Sequence, residues 1–516
     1  MGSIEINDKF KTALEVMDST NCSVFVTGKA GTGKSTLLDH FRHTTKKKVV
    51  ALAPTGVAAL NIRGQTIHSF FRFKPDITLE KARELGRDTK KKQLYQALDT
   101  IIIDEISMVR ADLLDCVDVF LRAVRKQKEI AFGGAQMIFV GDLYQLPPVV
   151  SSQERRSFSQ RYQTNYFFSA DVLKNNRFDY IELEKIYRQS DAGFIKILNA
   201  IRNNTIDDDL LAGLNKRVDV NFQPSEDDLY VYLTPTNSHA QQINEDRLNR
   251  LAGKIVQYEG YFGGSFDERQ LPTDQCLKLK IGAQVMLVNN DRRERWVNGS
   301  IGKIIKLAEK NGEPCKIELV GGEKVLVEPY TWELFSYHYD AQSRSLKTDV
   351  MGSFTQYPLK LAWAITIHKS QGKTFKKVII DMGRGAFAHG QTYVALSRCA
   401  SLEGLILKKP ISSKHIFLDY NVVKFVTSYQ YALAEEKFSV ADKISLIKEA
   451  IANEQRLEML YLKAADEKSK RIIKPHSVGE MEYGGKKFIG VNAFCFSRQE
   501  ERVFRVDRIL NIKLVD

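Results

Sequence analysis

Continuous apolar runs in the first part of the chain predict three buried strands, at residues 23–27, 101–103 and 136–140. A short apolar run without alternation is typical of a strand that is covered on both faces. The first run leads through a glycine-rich stretch into a helical pattern at residues 36–41. A strand, a glycine-rich turn and a helix in this order form the context in which phosphate-binding loops occur.

The pattern changes in the second half of the chain. Residues 297–306 and 316–328 alternate apolar and polar side chains between glycine turns, which predicts a small β-barrel. Residues 422–436 have a helical pattern, and the segment from residue 445 onward is rich in β-forming residues and ends in a cluster of arginines. The tail is therefore predicted to be a separate module.

Composition sets limits on the class of protein. With 516 residues the chain is too long for a single core, so several domains are expected. No apolar run is long enough to span a bilayer, and the start of the chain lacks the apolar core of a secretory signal. The six cysteines lie far apart without a C-x-x-C pair, which argues against a structural metal and a disulfide framework. These features predict a cytoplasmic protein without a membrane partner.

The charge of the chain points to the kind of partner. The net charge is +13, and the basic residues come in short clusters such as residues 46–48, 90–92 and 376–377. A single cluster is usually a solvated face. Together the clusters suit a polyanion such as a nucleic acid, because each phosphate contact releases counterions.

The glycine-rich turn has the full G-x-x-x-x-G-K-S pattern of a phosphate loop. Its backbone N–H groups are expected to surround the β- and γ-phosphates of a nucleoside triphosphate at a helix N-terminus. Lys34 would reach the phosphate oxygens, and Ser35 would bind Mg²⁺. The predicted nucleotide-binding residues are Gly28, Ala30, Gly31, Thr32, Gly33, Lys34, Ser35, Thr36 and Gly372.

Polar residues follow the second and third predicted strands. Asp104 and Glu105 come directly after one of them; Asp104 is expected to hold Mg²⁺, and Glu105 to orient the water that attacks the γ-phosphate. Gln145 follows the other strand, where its amide can hydrogen-bond both the γ-phosphate and the attacking water. A lone acidic pair at a strand end could simply face solvent, but here a phosphate loop lies upstream.

Two arginines complete the predicted catalytic set. Arg188 and Arg398 each stand in a short motif, Ile-Tyr-Arg-Gln and Ala-Leu-Ser-Arg. A cation that reaches the γ-phosphate from another domain couples hydrolysis to domain closure, although a lone arginine is more often a surface ion-pair partner. The predicted catalytic residues are Lys34, Asp104, Glu105, Gln145, Arg188 and Arg398.

Two further blocks, at residues 54–59 with 66–70 and at residues 364–374, are hydroxylated and amide-rich, with one histidine each. Such residues hydrogen-bond a sugar–phosphate backbone without reading bases. A lone histidine is nevertheless more often a packed core residue. The predicted nucleic-acid contacts are Pro54, Thr55, Gly56, His68, Ser69, Phe70, Leu146, Pro147, His368, Lys369, Ser370 and Gln371.

In their order these blocks resemble the superfamily-one DNA helicases of the 5′-to-3′ class, most closely the PIF (petite integration frequency) family. The resemblance covers about residues 8–425 and includes residues 280–286 with Asn298-Gly299. The chain departs from the family at one position. Phe10 stands where members carry a glutamine that recognises adenine, which leaves the base selectivity of the pocket open.

The resemblance implies an α/β fold in which two RecA-like parallel-sheet domains hold the nucleotide between them. A short wedge in the first domain would part the duplex strands, and an SH3-like β insertion in the second would help to clamp the single strand. The implied segments are a first domain at 1–183 with its wedge at 72–92, a second domain at 184–296 and 357–428, the insertion at 297–356 and a helical linker at 429–444.

The tail at residues 445–516 resembles a WYL domain, an SH3-like β fold of bacterial nucleic-acid proteins, although the Trp-Tyr-Leu triplet itself is absent. Its arginines either bind single-stranded DNA or a regulatory anion, or pair with Glu500 and Asp507. Its phenylalanines either form a stacking platform or fill a core. The residues concerned are Arg498, Arg502, Arg505, Arg508, Phe494, Phe496 and Phe504.

Together these resemblances imply an ATP- and Mg²⁺-dependent helicase that translocates 5′ to 3′ on single-stranded DNA. It would unwind duplex, forked or otherwise structured DNA in replication, repair or recombination. It is expected to be associated with the bacterial nucleoid and to load as a monomer. The alternatives are a RecD-like helicase or RNA translocase, and, in another class, a WYL-type nucleic-acid or ligand sensor that uses the motor fold as an ATP switch.

Overall fold

The computed structural model describes residues 7–151, 154–176, 178–189, 191–266, 271–383, 385 and 388–515. The chain divides into two compact units. Unit 1 comprises residues 1–201 and 206–417, and unit 2 comprises residues 202–205 and 418–516. Each unit has its own hydrophobic core, as the length of the chain predicts. Among the described residues, no helix has both the length and the apolar character that a bilayer span requires.

A six-stranded, all-parallel sheet forms the first part of unit 1. Its elements and the surrounding helices are α1 (Asp8–Ser19), β1 (Val24–Gly28), α2 (Lys34–Thr44), β2 (Val49–Ala53), α3 (Gly56–Asn61), β3 (Gln65–Thr66), α4 (Ile67–Phe71), α5 (Leu79–Asp88), α6 (Lys92–Ala97), β4 (Thr100–Ile103), α7 (Ala111–Arg125), β5 (Gln136–Val140), α8 (Arg155–Arg161), α9 (Asp171–Lys174) and β6 (Asp179–Leu183). The strand order is β3-β2-β4-β5-β1-β6. The three strands predicted from apolar runs are β1, β4 and β5. Every residue in them is buried, which explains why their sequences do not alternate.

The segment predicted to be a wedge, residues 72–92, contains helix α5. This helix is buried along Ala82 and Gly86, and it packs on α7. A Cβ atom on Gly86 would lie 2.6 Å from the carbonyl oxygen of Phe120, so the two helices approach as closely as glycine allows. The remaining face of α5 is charged and exposed.

The second part of unit 1 combines a four-stranded parallel sheet with antiparallel sheets. Its elements are α10 (Ala192–Arg202), α11 (Asp208–Asn215), β7 (Val231–Thr234), α12 (Asn237–Arg250), β8 (Val256–Glu259), β9 (Tyr261–Gly264), β10 (Cys276–Leu279), β11 (Gln284–Leu287), β12 (Ile301–Lys306), β13 (Cys315–Leu319), β14 (Lys324–Val327), β15 (Tyr330–Asp340), β16 (Ser345–Gln356), β17 (Leu359–Leu361), β18 (Ala364–Thr366), β19 (Val378–Ile380), α13 (Gln391–Leu396) and β20 (Leu405–Leu407). The parallel sheet has the order β18-β7-β19-β20. It is the RecA-like partner of the six-stranded sheet.

The predicted insertion at 297–356 divides between two antiparallel sheets. The five-stranded antiparallel sheet has the order β14-β13-β12-β11-β17, so it includes β11 and β17, which flank the predicted range. Cross-strand hydrogen bonds make these flanking strands part of the sheet. The composition of neither strand distinguishes it from the RecA-like part. Strands β15 and β16 form a long hairpin that pairs with β9 instead.

Unit 2 is built on a five-stranded antiparallel sheet covered by helices. Its elements are α14 (Tyr420–Lys437), α15 (Val440–Ala452), β21 (Arg456–Leu462), β22 (Lys468–Tyr483), β23 (Lys486–Cys495), β24 (Glu500–Arg505) and β25 (Ile509–Val515). The sheet order is β24-β23-β22-β21-β25. Helix α15 begins at a capping box formed by Ser439 and Asp442 and contributes Ile447 and Ala450 to the core. A boundary at residue 445 would therefore cut a helix of this unit.

Candidate nucleotide site

The phosphate loop joins β1 to α2, as its pattern predicts. Gly31 and Gly33 adopt left-handed backbone angles, with φ of 83° and 87°. A Cβ atom on Gly31 would lie only 2.3 Å from Cβ of Arg188, so glycine is required there. The ammonium group of Lys34 donates to the carbonyl oxygens of Gly28 at 2.7 Å and of Lys29 at 3.0 Å, which holds it inside the loop. Burial lowers the pKa of Lys34, and nearby carboxylates oppose that effect.

A cavity of about 550 Å³ opens beside this loop. All six predicted catalytic residues line it, and so do the predicted nucleotide-binding residues except Gly28. Sequence reasoning assigned no role to two of the lining residues, Tyr187 and Thr374. Tyr187 stands directly before a predicted arginine, which was the available signal. The residues around the cavity are Phe10, Ala30, Gly31, Thr32, Gly33, Lys34, Ser35, Thr36, Asp104, Glu105, Gln145, Tyr187, Arg188, Gly372, Thr374 and Arg398.

The two carboxylates meet at the end of β4. The backbone N–H of Glu105 donates to Oδ1 of Asp104 at 2.9 Å. Glu105 has a left-handed backbone, with φ of 51°, a costly conformation for a side chain with a Cβ atom. Burial, and then the charge of Asp104, raises the pKa of Glu105 to about 7.

Mg²⁺ is the cofactor that the family resemblance implies. The Ser35 hydroxyl and the Asp104 carboxylate both line the cavity, and hard oxygen donors of this kind suit Mg²⁺. Mg²⁺ normally takes one or two protein oxygens and completes its shell with water and substrate phosphates. The residues present therefore fit this ion.

The two arginines reach the cavity from beyond the first sheet. Arg188 donates from Nη2 to the carbonyl oxygen of Gly372 at 3.0 Å, while its buried Nη1 has no hydrogen-bond partner among the described residues. Arg398 is 1% exposed and donates from Nε to the carbonyl oxygen of Val394 and from Nη2 to the hydroxyl of Ser397. Burial lowers the pKa of both guanidinium groups. Two desolvated cations beside one cavity form a site for a multiply charged anion.

Gln371, which is predicted to contact nucleic acid, hydrogen-bonds to two residues that line the nucleotide cavity. Its Nε2 donates to Oε2 of Glu105 and to Oε1 of Gln145, both at 3.1 Å. One amide thus joins the residue predicted to orient water to the residue predicted to sense the γ-phosphate. The neighbouring His368 and Lys369 are exposed. The segment therefore connects a solvent-facing surface to the catalytic residues.

We expect Gln371→Ala to lower the stimulation of ATP hydrolysis by single-stranded DNA about tenfold, a loss of roughly 1.4 kcal/mol of coupling. The variant breaks both hydrogen bonds that connect the exposed segment to Glu105 and Gln145. The ratio of DNA-stimulated to basal rates measures the effect. Gln127→Ala, at an exposed position after α7, is the control, and equal ratios in the two variants would contradict this role for Gln371.

The remaining predicted nucleic-acid residues divide by exposure. Thr55, Ser69, His368 and Lys369 are exposed. Pro54, Gly56, His68 and Pro147 are half-buried, and burial lowers the pKa of His68, which favours its neutral form. His68 is therefore suited to a neutral hydrogen bond rather than to an ion pair with phosphate.

Three of the residues predicted to contact nucleic acid are buried in this structure. Phe70 is 4% exposed; its ring packs edge-to-face against Phe71 and Tyr95, because α4 turns it into an aromatic cluster. Leu146 is 1% exposed and belongs to a hydrophobic core. Ser370 is fully buried, and its hydroxyl donates to the carbonyl oxygen of Ile367 at 2.7 Å. These residues shape the surface from beneath.

The phenylalanines of the tail are predicted either to form a stacking platform or to fill a core, and the structure shows them in both kinds of environment. Phe504 is buried in the core of unit 2, whereas Phe494 lies half-buried on the outer face of β23 and Phe496 lies half-buried in the turn that follows. Their rings meet edge-to-face at 5.3 Å, and the guanidinium group of Arg456 lies 4.5 Å from the ring centre of Phe496. The outer face therefore offers ring surface and positive charge together.

The arginines of the tail are predicted either to bind DNA or an anion, or to form ion pairs with Glu500 and Asp507. Arg502 pairs with Glu500 at 2.7 Å, and Arg505 pairs with Asp507 at 2.6 Å. These two ion pairs match the structural interpretation of the cluster. Arg498 is exposed at the turn after β23, and Arg508 is half-buried.

Three sequence models of known families match different parts of the chain. That of the PIF1-like helicases matches residues 5–210, that of the 2B domain of DNA helicase Pif1 matches residues 264–307, and that of the WYL domain matches residues 442–514. The matches follow the order of the RecA-like, insertion and tail segments.

Curated relatives extend the similarity over most of the chain. The ATP-dependent DNA helicase PIF1 of Xenopus laevis is 37% identical over 391 residues, which are 74% of this chain and 58% of the relative. The ATP-dependent DNA helicases Pif1 of Campylobacter jejuni and Bdellovibrio bacteriovorus are 30% and 32% identical. The aligned residues cover 79% and 83% of this chain and 95% and 93% of the bacterial relatives. This chain thus spans little more than half the length of the vertebrate relative and nearly all of the bacterial ones.

Solved structures agree with these matches. Bacteroides sp Pif1 in complex with ADP-AlF4 is 36% identical, with a TM-score of 0.75, and the match covers 83% of this chain and 98% of that one. The same protein bound to ssDNA gives a TM-score of 0.58 with the same coverage. Pif1 helicase from Candida albicans is 30% identical, with a TM-score of 0.63, over 83% of this chain and 100% of that one. The chain belongs to the PIF1-like helicase family.

Proposed function

We propose that this protein is an ATP- and Mg²⁺-dependent helicase that translocates 5′ to 3′ along single-stranded DNA and unwinds forked or structured duplexes. One observation carries the proposal. Arg188 and Arg398 come from beyond the first parallel sheet and share one cavity with Lys34, Asp104 and Glu105 of that sheet. Hydrolysis at such a cavity changes the interactions that hold the two sides together, as a motor requires.

In the proposed cycle, ATP binding closes the cavity around the γ-phosphate, and the two guanidinium groups stabilise the charge that develops on it. Glu105 orients the attacking water, and Ser35 and Asp104 would hold Mg²⁺, which would supply charge neutralisation at the phosphates. Gln371 transmits the state of the cavity to His368 and Lys369 at the surface, which contact the DNA backbone with Thr55, His68 and Ser69. Hydrolysis reopens the cavity and shifts that grip along the strand.

The proposal draws on relatives for its substrate and on this chain for its chemistry. Bacteroides sp Pif1 has been crystallised with single-stranded DNA and with ADP-AlF4, which supports DNA and ATP as the partners of this chain. Direction of movement, loading as a monomer and a place at the bacterial nucleoid are further parts of the proposal. The +13 net charge favours a polyanionic track.

A single assay tests the proposed function against its alternatives. DNA-stimulated ATP hydrolysis and strand separation are measured on duplexes with a 5′ or a 3′ single-stranded tail, and on an RNA-tailed duplex. We expect unwinding of the 5′-tailed DNA duplex only. Unwinding from the RNA tail alone would favour an RNA translocase, and nucleotide hydrolysis without unwinding of any substrate would favour a sensor.

We also propose that unit 2 adds a weak, salt-sensitive contact with single-stranded DNA through the outer face of β23. Arg456→Glu in the full chain should lower the affinity for single-stranded DNA about three- to tenfold at low salt, because it removes a cation that stacks on Phe496. The loss should shrink as salt rises. Fluorescence anisotropy with a labelled oligonucleotide measures it.

The matched control is Lys448→Glu, which makes the same charge change at an exposed position on α15. Equal affinities of the two variants would argue against DNA binding by this face. In that case, a protein-docking or ligand-sensing role for unit 2 would be favoured.

A further inference from the structure

The nucleotide cavity is apolar where α1 contributes to its lining, in contrast to the charged region around Lys34. The charged residues interact with one another around Lys34, whereas α1 contributes the ring of Phe10. Phe10 is 4% exposed and packs with Leu37 and Phe41 of α2 in the core beneath the phosphate loop. It reaches the cavity as an apolar wall, fixed by its neighbours.

The cavity has a second aromatic residue. Tyr187 lines the same cavity and is 47% exposed, and its backbone N–H donates to the carbonyl oxygen of Gly31 at 2.8 Å. Asn7 connects the two aromatic residues: its Oδ1 accepts from the backbone N–H of Phe10 at 2.9 Å, and its Nδ2 donates to the Tyr187 hydroxyl at 3.3 Å. The aromatic pair is therefore one structural feature beside the loop.

The polar groups near this pair cannot tell one base edge from another. Asn7 is not among the described residues that line the cavity, and its amide is engaged at Oδ1 and through one of its two N–H groups. Apart from Gln145, the uncharged polar side chains around the cavity carry hydroxyl groups, which donate or accept equally well. A hydroxyl satisfies the exocyclic amine of adenine as readily as the exocyclic carbonyl of guanine. Among the described residues around the cavity, the side-chain amide and carboxylates are those of Gln145, Asp104 and Glu105, which are assigned to the γ-phosphate, the attacking water and Mg²⁺.

We propose that this site holds the nucleobase by ring stacking and apolar contact at Phe10 and Tyr187 without reading its edge, so that the enzyme uses GTP as well as ATP as fuel. Stacking tolerates any base, because every base has a π-face. Apolar contact discriminates between similar groups by only about 10- to 200-fold, whereas a hydrogen-bonding site rejects a mismatch by roughly 10⁴-fold or more. The inference rests on the proposed nucleoside triphosphatase function.

The first test uses the full chain. Rates of hydrolysis stimulated by single-stranded DNA are measured with ATP, GTP, CTP and UTP, and dissociation constants for ADP and GDP are measured by competition against a ribose-labelled fluorescent ADP. We expect kcat/KM for GTP within about tenfold of that for ATP, and Kd values for the two diphosphates within about tenfold of each other. A preference for ATP above about 200-fold would overturn the proposal. Failure to hydrolyse any triphosphate would instead refute the proposed function.

The second test changes the wall itself. A glutamine can pair with both N6 and N7 of adenine, so Phe10→Gln should lower the GTP-to-ATP ratio of kcat/KM at least about tenfold. Phe10→Leu keeps an apolar wall and should leave that ratio within about threefold of the wild type, whatever its absolute rate. Thermal denaturation checks that each variant folds; if Phe10→Gln does not, the Phe10→Leu ratio and the wild-type series decide. An unchanged ratio in a folded Phe10→Gln would show that residue 10 does not face the base.

Discussion

Lys34→Ala should abolish ATP hydrolysis while the fold survives. The Lys34 ammonium lies inside the loop and donates to the carbonyl oxygens of Gly28 and Lys29. No other lysine of the described residues lines the cavity. Its removal takes away the cation that meets the β- and γ-phosphates, and we expect kcat to fall by about 10³-fold or more. Steady-state phosphate release measures the effect.

The same variant should remain folded because its two effects on stability oppose each other. Two hydrogen bonds are lost, but so is the cost of burying an ammonium group, so the free energy of unfolding should change by no more than about 1–2 kcal/mol. Lys128→Ala, which removes an exposed lysine, is the control for net charge. Near-normal hydrolysis in a folded Lys34→Ala protein would exclude this loop as the phosphate site.

Glu105→Gln should slow hydrolysis by about 10²–10⁴-fold while leaving the binding of ATP and single-stranded DNA intact. Glutamine is nearly isosteric and keeps an oxygen that can accept from Gln371, so the geometry around β4 persists. What it lacks is the negative charge that orients the attacking water. Single-turnover hydrolysis and equilibrium binding of a fluorescent nucleotide separate the two effects.

Asp104→Asn is the matched comparison for that prediction. Because Asp104 is proposed to hold Mg²⁺, its variant should lose the Mg²⁺-dependent part of nucleotide binding as well as the rate. If Glu105→Gln lost nucleotide binding to the same extent, Glu105 would be a metal ligand or a structural residue, and the assignment of the water-orienting role would fail.

Much of the site could be predicted because its residues lie next to strongly local signals. Strand β5 occupies the predicted residues 136–140, and β1 and β4 lie within one residue of their predicted bounds. Residues placed just after such strands meet at the same edge of a parallel sheet. This explains why the loop, the acidic pair and Gln145 line one cavity.

Other features depend on partners far away along the chain. Gln371 stands 266 positions from Glu105, and nothing in a segment rich in small polar residues indicates whether its amide faces DNA or a carboxylate. Phe70 is an aromatic residue of the kind that stacks on bases, but its packing against Tyr95 and Phe71 buries it. The pairing between β11 and β17, which flank the predicted insertion, could not be predicted for the same reason, because it is a matter of register rather than of composition.

The sequence by itself determined the phosphate loop, the strands that carry the acidic pair and Gln145, the family and the separate tail, because each is a short pattern with its own physical cause. Only the tertiary structure decided that Gln371 hydrogen-bonds to Glu105 and Gln145, and which aromatic rings remain accessible. It also decided that Phe10 and Tyr187 line the same cavity. Hydrogen bonds and packing between distant segments choose among arrangements that local preferences leave equal in energy. Those choices appear only once the chain is folded.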